Sequence, residues 1–412
     1  MAGTTARQMN ETGRASRIGW RAGSLYALLP LAVALALDWP AYPPHVPQHV
    51  MISAMTELDR AHLADSIIAL LAVLLGIGCD PSTSLRAATW VFGPACLAAL
   101  GLAAAWAAAP LAARGWRWLA PVAIGLYPLI GIPAGPGASG ADLAVVLAGT
   151  MTAGWAVRVI AGVADGNAGW PLGAWAAVGL WLSPVSLPLT IMIFGGLWIA
   201  WLAGPRGDAI VAAARNAGAT FLLTAFLALL ADPPEGGVAI PDPNRLSLLY
   251  VMLAAAVAEA AVGIGVIHQT IKATAERAVV SLLFCTLAAL GWFGLFPDLS
   301  VAALVPSDGI GAAIAWRRFL DPGPVDLDGA GAGLLLSLAV IVGSLACFAV
   351  EQRSSVLAYV MLCTGLVFCL RQSALAFPPA IEALAAILLP VVLTRLGRQR
   401  LAGAAVLQPA PR

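Results

Sequence analysis

Long apolar runs constrain this chain more than any other feature: Ala22 to Leu37, Ala87 to Ala109 and Leu334 to Val350 each pass without a charged residue. Such lengths approach or reach the roughly 20 residues that an α-helix needs to cross the hydrocarbon of a bilayer. Charged residues make up only 10% of the chain and hydrophobic ones 60%, a balance that no soluble domain needs to fill its core. The runs are continuous in Leu, Ala, Val and Gly and do not alternate with polar residues, which excludes a transmembrane barrel.

Charged, proline-rich and glycine-rich punctuation divides the sequence into about twelve spans. They begin near Ala22, Arg86, Trp118, Asp142, Trp170, Pro188, Ala217, Leu246, Ala278, Ala330, Ser354 and Pro379. The predicted fold is all-α: a polytopic transmembrane helical bundle over residues 22–394, between cytoplasmic tails at 1–21 and 395–412. One apolar stretch, His62 to Gly78, is short and carries Asp65 near its start. It suits an outer-face juxtamembrane helix inside an outward loop that runs from 38 to 85.

The basic residues support this topology. With the N-terminus inside, Arg7, Arg14, Arg17, Arg21, Arg114, Arg117, Arg158, Arg206, Arg215, Lys272, Arg277, Arg353, Arg395, Arg398, Arg400 and Arg412 face the cytoplasm, sixteen of the 22. Arg60, Arg86, Arg245, Arg317, Arg318 and Arg371 face outward. This is the asymmetry of the positive-inside rule, and counting His62 to Gly78 as a span would invert everything after it. The arginine-rich start shows no cleavage site leading into a soluble domain and reads as an uncleaved tail. Lys272 is the sole lysine, a usage that points to a GC-rich bacterial genome and the cytoplasmic membrane.

Several function classes fall away. A net charge of +1 supplies no basic field for nucleic acid. The six cysteines sit almost entirely in apolar runs without a C-x-x-C pair. There is no Walker A pattern, dinucleotide fingerprint, G-x-S-x-G elbow or H-E-x-x-H. The expected partners are membrane lipids and lipid-linked molecules; the sequence sets no oligomeric state.

Candidate chemistry concentrates in DWPAYPPHVPQHVMISAMTELDRAH, which holds Asp38, His45, His49, Glu57, Asp59, Arg60 and His62. Carboxylates at a membrane surface can take a proton from an attacking hydroxyl, and Arg and His can neutralise a departing phosphate. Pro47, between His45 and His49, denies them the helical i,i+4 geometry of a metal pair, so no metal ligand is assigned. Asp142 opens the fourth span, where a carboxylate also favours a helix N-terminus. Arg245, Arg317 and Arg318 face outward against the general bias, and guanidinium groups suit bidentate phosphate contacts. Glu259, Arg371 and Glu382 lie in or near apolar runs, where an ionisable group usually faces a bundle interior.

The order of these features resembles the C-type integral-membrane glycosyltransferases. In that family a cytoplasmic N-terminus leads into one span, an outer loop that starts with an acidic residue, a juxtamembrane helix, and a span opening with arginine. Asp38, LADSIIALLAVLLG and Arg86 in STSLRAATWVFGPACLAAL stand in that order. Arg114 and Arg117 in AARGWRW supply the basic turn after the second span, and Asp142 matches an acidic residue that opens the fourth. The segment GAWAAVGLWLSPVSLPLTIMIFGGLWIAWL resembles the fifth and sixth spans of bacterial relatives, and the likeness covers roughly the first half of the chain.

The resemblance implies transfer of a sugar from a polyprenyl-phosphate donor to an acceptor at the outer face. Asp38 would be the base or acceptor-orienting carboxylate, Asp59 its understudy and Asp142 the second acidic position, while the outward arginines hold the departing lipid phosphate. No cofactor is implied beyond a divalent metal, which is left open. Two departures stand beside this: DWPAY replaces the family's acidic pair, and Leu143 and Ala144 follow Asp142 where relatives carry histidines. They fit a non-catalytic scaffold of the same fold. A transporter with Glu259 in the midplane is the third alternative, and it predicts a cavity centred on that residue.

Overall fold

The computed structural model describes residues 20–36, 71, 81–110, 112–125, 140–203, 206–234, 236–242, 245–297, 391, 393–394 and 397. Among them every regular element is helical. The helices are α1 (Trp20–Ala36), α2 (Pro81–Ala108), α3 (Leu119–Gly125), α4 (Gly140–Ile160), α5 (Gly169–Leu182), α6 (Leu187–Ala203), α7 (Gly207–Ala231), α8 (Leu248–Thr270) and α9 (Thr274–Leu295). Five of them, α2, α4, α7, α8 and α9, are long and apolar enough to cross a membrane. The chain is a multi-pass membrane protein. The expected interfacial helix (Leu71 apart) and the spans predicted from Ala330, Ser354 and Pro379 (apart from Val391, Leu393, Thr394 and Gly397) lie outside the described residues.

Local chemistry sets where these helices start. Pro81 occupies the first position of α2, where its missing N–H costs no hydrogen bond and its fixed φ suits the helix. α7 begins at Gly207, ten residues before the span start expected at Ala217. Its first turns carry Asp208, Arg215 and Asn216, with Asp208 and Arg215 exposed, so the helix continues past the apolar segment instead of stopping at its edge. Inside the helices, hydroxyls bond back to the preceding turn: Thr152 to the Ala148 carbonyl at 2.8 Å and Thr220 to that of Asn216 at 2.7 Å. In a medium without water this leaves neither hydroxyl unsatisfied.

Packing follows small residues. Parallel helices α5 and α7 meet through Gly169 and Gly173, spaced four apart, where a Cβ would run into the carbonyl oxygens of Ala213 and Ala217. This close approach replaces the hydrophobic drive that two helices lack in lipid with backbone contact. One apolar core fills the space among α2, α4 and α6, with Trp201 2% exposed. A second lies among α5, α7 and α8 around Phe221 and Tyr250. Leu223, Phe226, Leu227 and Leu230 line the outside of α7 at helical spacing, the face expected to meet lipid.

The connections alternate the helix directions and create two unlike ends. One gathers the C-termini of α2, α4, α6 and α8 with the N-termini of α5, α7 and α9. It holds Arg114, Arg117, Arg158, Arg206, Arg215, Lys272 and Arg277. At the opposite end, where α4 and α8 begin, the described basic residues are Arg86 and Arg245.

Candidate functional site

The end that is poor in basic residues is organised around Asp232, the residue that closes α7. Its carboxylate accepts a hydrogen bond from the Trp181 indole Nε1 at 3.1 Å, from the last turn of α5. Its other oxygen accepts from Arg245 Nη2 at 2.8 Å, in the loop that enters α8. The side chains of Arg245 and Asp232 are 14% and 28% exposed, so the pair is half-shielded from solvent without being sealed. The Ser247 hydroxyl donates to the Asp242 carbonyl at 2.7 Å, and the Trp292 indole to that of Leu249 at 2.9 Å. The ends of α5 and α7 and the loop into α8 are thereby joined at the Arg245–Asp232 contact, and α9 is tied to the start of α8.

Asp142 lies in the first turn of α4 at this same end. Of the residues singled out in the sequence, the structure thus brings Arg245 and the start of Asp142's helix to one face of the bundle. Asp38, His45, His49, Asp59, Arg60, His62, Arg317 and Arg318 lie outside the described residues, as do Arg371 and Glu382. Glu259 sits at the middle of α8 and is exposed, facing away from the helix pack.

The basic end is built differently, with arginines on helix carbonyls. Arg117 donates to the carbonyls of Ala109 at 2.7 Å and Ala112 at 3.3 Å, just past the end of α2. Arg158 donates to the Trp106 carbonyl at 3.1 Å, and its guanidinium lies 4.5 Å from the centre of the Trp106 ring. Arg277 donates to the Ile271 and His268 carbonyls at 2.6 Å and 3.1 Å, closing α8. Cations at helix C-termini satisfy carbonyls that lack intrahelical donors and oppose the negative end of the helix dipole.

His268 joins three helices at this end. The Trp201 indole donates to its Nδ1 at 3.0 Å, and its Nε2 lies 2.7 Å from an Asp208 carboxylate oxygen. Because an indole only donates, Nδ1 is the acceptor and the proton sits on Nε2, directed at Asp208. Neither Trp181 with Asp232 nor Trp201 with His268 was singled out by sequence. The available signal was an indole in the last turns of a span, and both partners lie more than fifty residues away.

No protein-family model and no curated protein matches the sequence. Solved structures do match. The oligosaccharyltransferase of Archaeoglobus fulgidus in its apo form superposes with a TM-score of 0.61 at 14% identity, over 84% of this chain and 44% of that one. The chain has the fold of a C-type membrane glycosyltransferase. The archaeal oligosaccharyltransferase AglB from the same organism, solved with an inhibitory peptide and a dolichol-phosphate, matches at a TM-score of 0.58, 14% identity and the same coverage. The chain spans less than half the length of either neighbour. The likeness inferred from the order of Asp38, Arg86, Arg114, Arg117 and Asp142 is therefore borne out at the level of the fold.

Proposed function

We propose that the chain is a glycosyltransferase that moves a sugar from a polyprenyl-phosphate donor to an acceptor at the outer face of a bacterial cytoplasmic membrane. The fold carries this reading, because AglB, the similar protein at a TM-score of 0.58, was solved with a dolichol-phosphate and a peptide. In the proposed topology there are about twelve spans and both termini are cytoplasmic, as the gathering of described basic residues at one end favours. The outer face is then the end that holds Arg245 and the start of α4.

The reaction breaks the bond between the sugar's anomeric carbon and the phosphate oxygen and forms one from that carbon to the acceptor's nucleophilic atom. Asp38 takes the proton the acceptor loses, with Asp59 as its understudy and Asp142 as a second carboxylate of the site. The lipid phosphate leaves with the electron pair of the broken bond, and its charge is met by Arg245, Arg317, Arg318 and Arg60, with His45, His49 and His62 lining the loop. Charge-assisted bonds from guanidinium to phosphate act where negative charge develops. Arg245 is already oriented for such a role by Asp232 at 2.8 Å. The exposed side of Glu259 does not favour a transporter built on a cavity around that residue.

Equilibrium binding of a short-chain polyprenyl phosphate to the purified protein tests the donor assignment. Wild type is expected to bind, and Arg245→Ala to bind about ten-fold more weakly, close to 1.4 kcal/mol. Absence of binding by wild type contradicts the proposal.

A further inference from the structure

An ionisable side chain in the middle of a span normally turns inward, to another polar group or to water. Glu259 does neither. It stands at the midpoint of α8 and is exposed, and no hydrogen bond or ion pair reaches it among the described residues. Val262 and Val266, one and two turns on, are exposed on the same stripe, so the carboxylate opens onto the surface that should face hydrocarbon. A carboxylate left alone there is costly whether ionised or protonated, because either form has hydrogen-bonding capacity that lipid tails cannot meet.

We propose that this face of α8 docks a transmembrane helix of a partner protein that carries a lysine or arginine near its own middle. Charge complementarity selects the occupant. Glu259 is the one ionisable group of α8 between Tyr250 and His268, and α9 brings only Cys285 between Arg277 and Leu295. A second copy docking through this face would therefore offer no cation. The chain's own later arginines, Arg317, Arg318, Arg353 and Arg371, fall by sequence in loops or towards the ends of apolar runs, not at their centres. Small residues flank the carboxylate at Ala255, Ala256 and Ala260, so a partner backbone can approach closely and its cation can reach Glu259. This inference stands apart from the catalytic proposal, since Glu259 lies at mid-span and not at the end that holds Arg245.

The test uses the full chain in phosphatidylcholine vesicles with fluorescent leucine–alanine host helices that carry a single central lysine, or leucine in its place. Energy transfer from labelled protein to peptide reports association. Wild type is expected to favour the lysine helix roughly five-fold or more, and Glu259→Leu to lose the preference while still inserting, because it only adds an apolar side chain to an exposed face. Equal affinity for both helices, or a preference that survives Glu259→Leu, overturns the proposal. A nitroxide on Glu259→Cys distinguishes the other occupants. High oxygen accessibility in the isolated protein is expected. Shielding in a single copy assigns the face to residues 298–390 of the same chain, and shielding that appears only in a dimer assigns it to a second copy; either result overturns the proposal.

Discussion

Removing the Asp232 carboxylate should loosen the end of the bundle that holds Arg245. Asp232→Ala deletes the ion pair at 2.8 Å and the indole bond at 3.1 Å together, leaving a guanidinium and an N–H without that acceptor. Fully exposed pairs contribute about 0–1 kcal/mol, and breaking a fully buried pair costs about 3–5 kcal/mol. With the two side chains 14% and 28% exposed, the Arg245–Asp232 coupling should fall between these limits, at about 1–2 kcal/mol. The indole bond adds about 1 kcal/mol, so Asp232→Ala should destabilise by about 2–3 kcal/mol in total. The coupling is isolated by a double-mutant cycle of Asp232→Ala and Arg245→Met, read by SDS titration of the dodecylmaltoside-solubilised protein with helicity followed by circular dichroism. A coupling below about 0.3 kcal/mol would mean that the contact holds nothing in place, and the account of Arg245 as a pre-oriented group would fail.

Gly173→Ala should cost about 1–3 kcal/mol in the same titration through overlap with the Ala217 carbonyl; an unchanged midpoint would refute the close approach of α5 and α7. Arg158→Met should cost about 1–3 kcal/mol, because it removes a carbonyl bond and a stack on Trp106 at the end of α2. The exposed Arg215→Ala should stay within about 0.5 kcal/mol, and equal costs for the two would show that burial does not separate their roles. Trp201→Phe removes the donor to His268 Nδ1 and shortens a core side chain that is 2% exposed, so it should cost more than the about 0.5–1.5 kcal/mol of the bond alone, with loss of the indole-to-imidazole bond read from the His268 nitrogen resonances.

Several helix starts among the described residues were legible, because hydropathy reports the one interaction that lipid imposes on every helix. Expected starts at Trp118, Asp142, Trp170, Pro188 and Leu246 fall within two residues of the observed α3, α4, α5, α6 and α8. The starts expected for α2, α7 and α9 at Arg86, Ala217 and Ala278 all fall late, by five, ten and four residues. Asp208, Arg215 and Asn216, like Glu276 and Arg277, resemble loop residues in composition, yet each set is carried on helix that extends beyond the apolar segment. Asn216 even donates its amide to the Gly166 carbonyl at 3.0 Å, a tertiary bond that no local pattern announces.

The candidate site was legible only where it is local. Arg245 stood out because it opposed the charge bias, but nothing near it in sequence pointed to Asp232, let alone to Trp181 across fifty-one residues. The described arginines from Arg114 to Arg215, with Arg277, do gather at one end, although counting could not reveal that Arg117, Arg158 and Arg277 close helix termini. Glu259 was recognised as out of place in an apolar run, and the expectation that it turns inward failed because periodicity does not say which neighbour a helix lacks.

The central claim is sugar transfer from a lipid phosphate, and release of that phosphate tests it most directly. Purified protein should be incubated with a panel of radiolabelled polyprenyl-phosphate sugars, with Asp38→Asn in parallel. Wild type should release free polyprenyl phosphate from at least one donor, and Asp38→Asn, while still inserted in the membrane, should not. Release by neither protein from any donor would contradict the claim of transfer, and equal release by both would remove Asp38 from the chemistry.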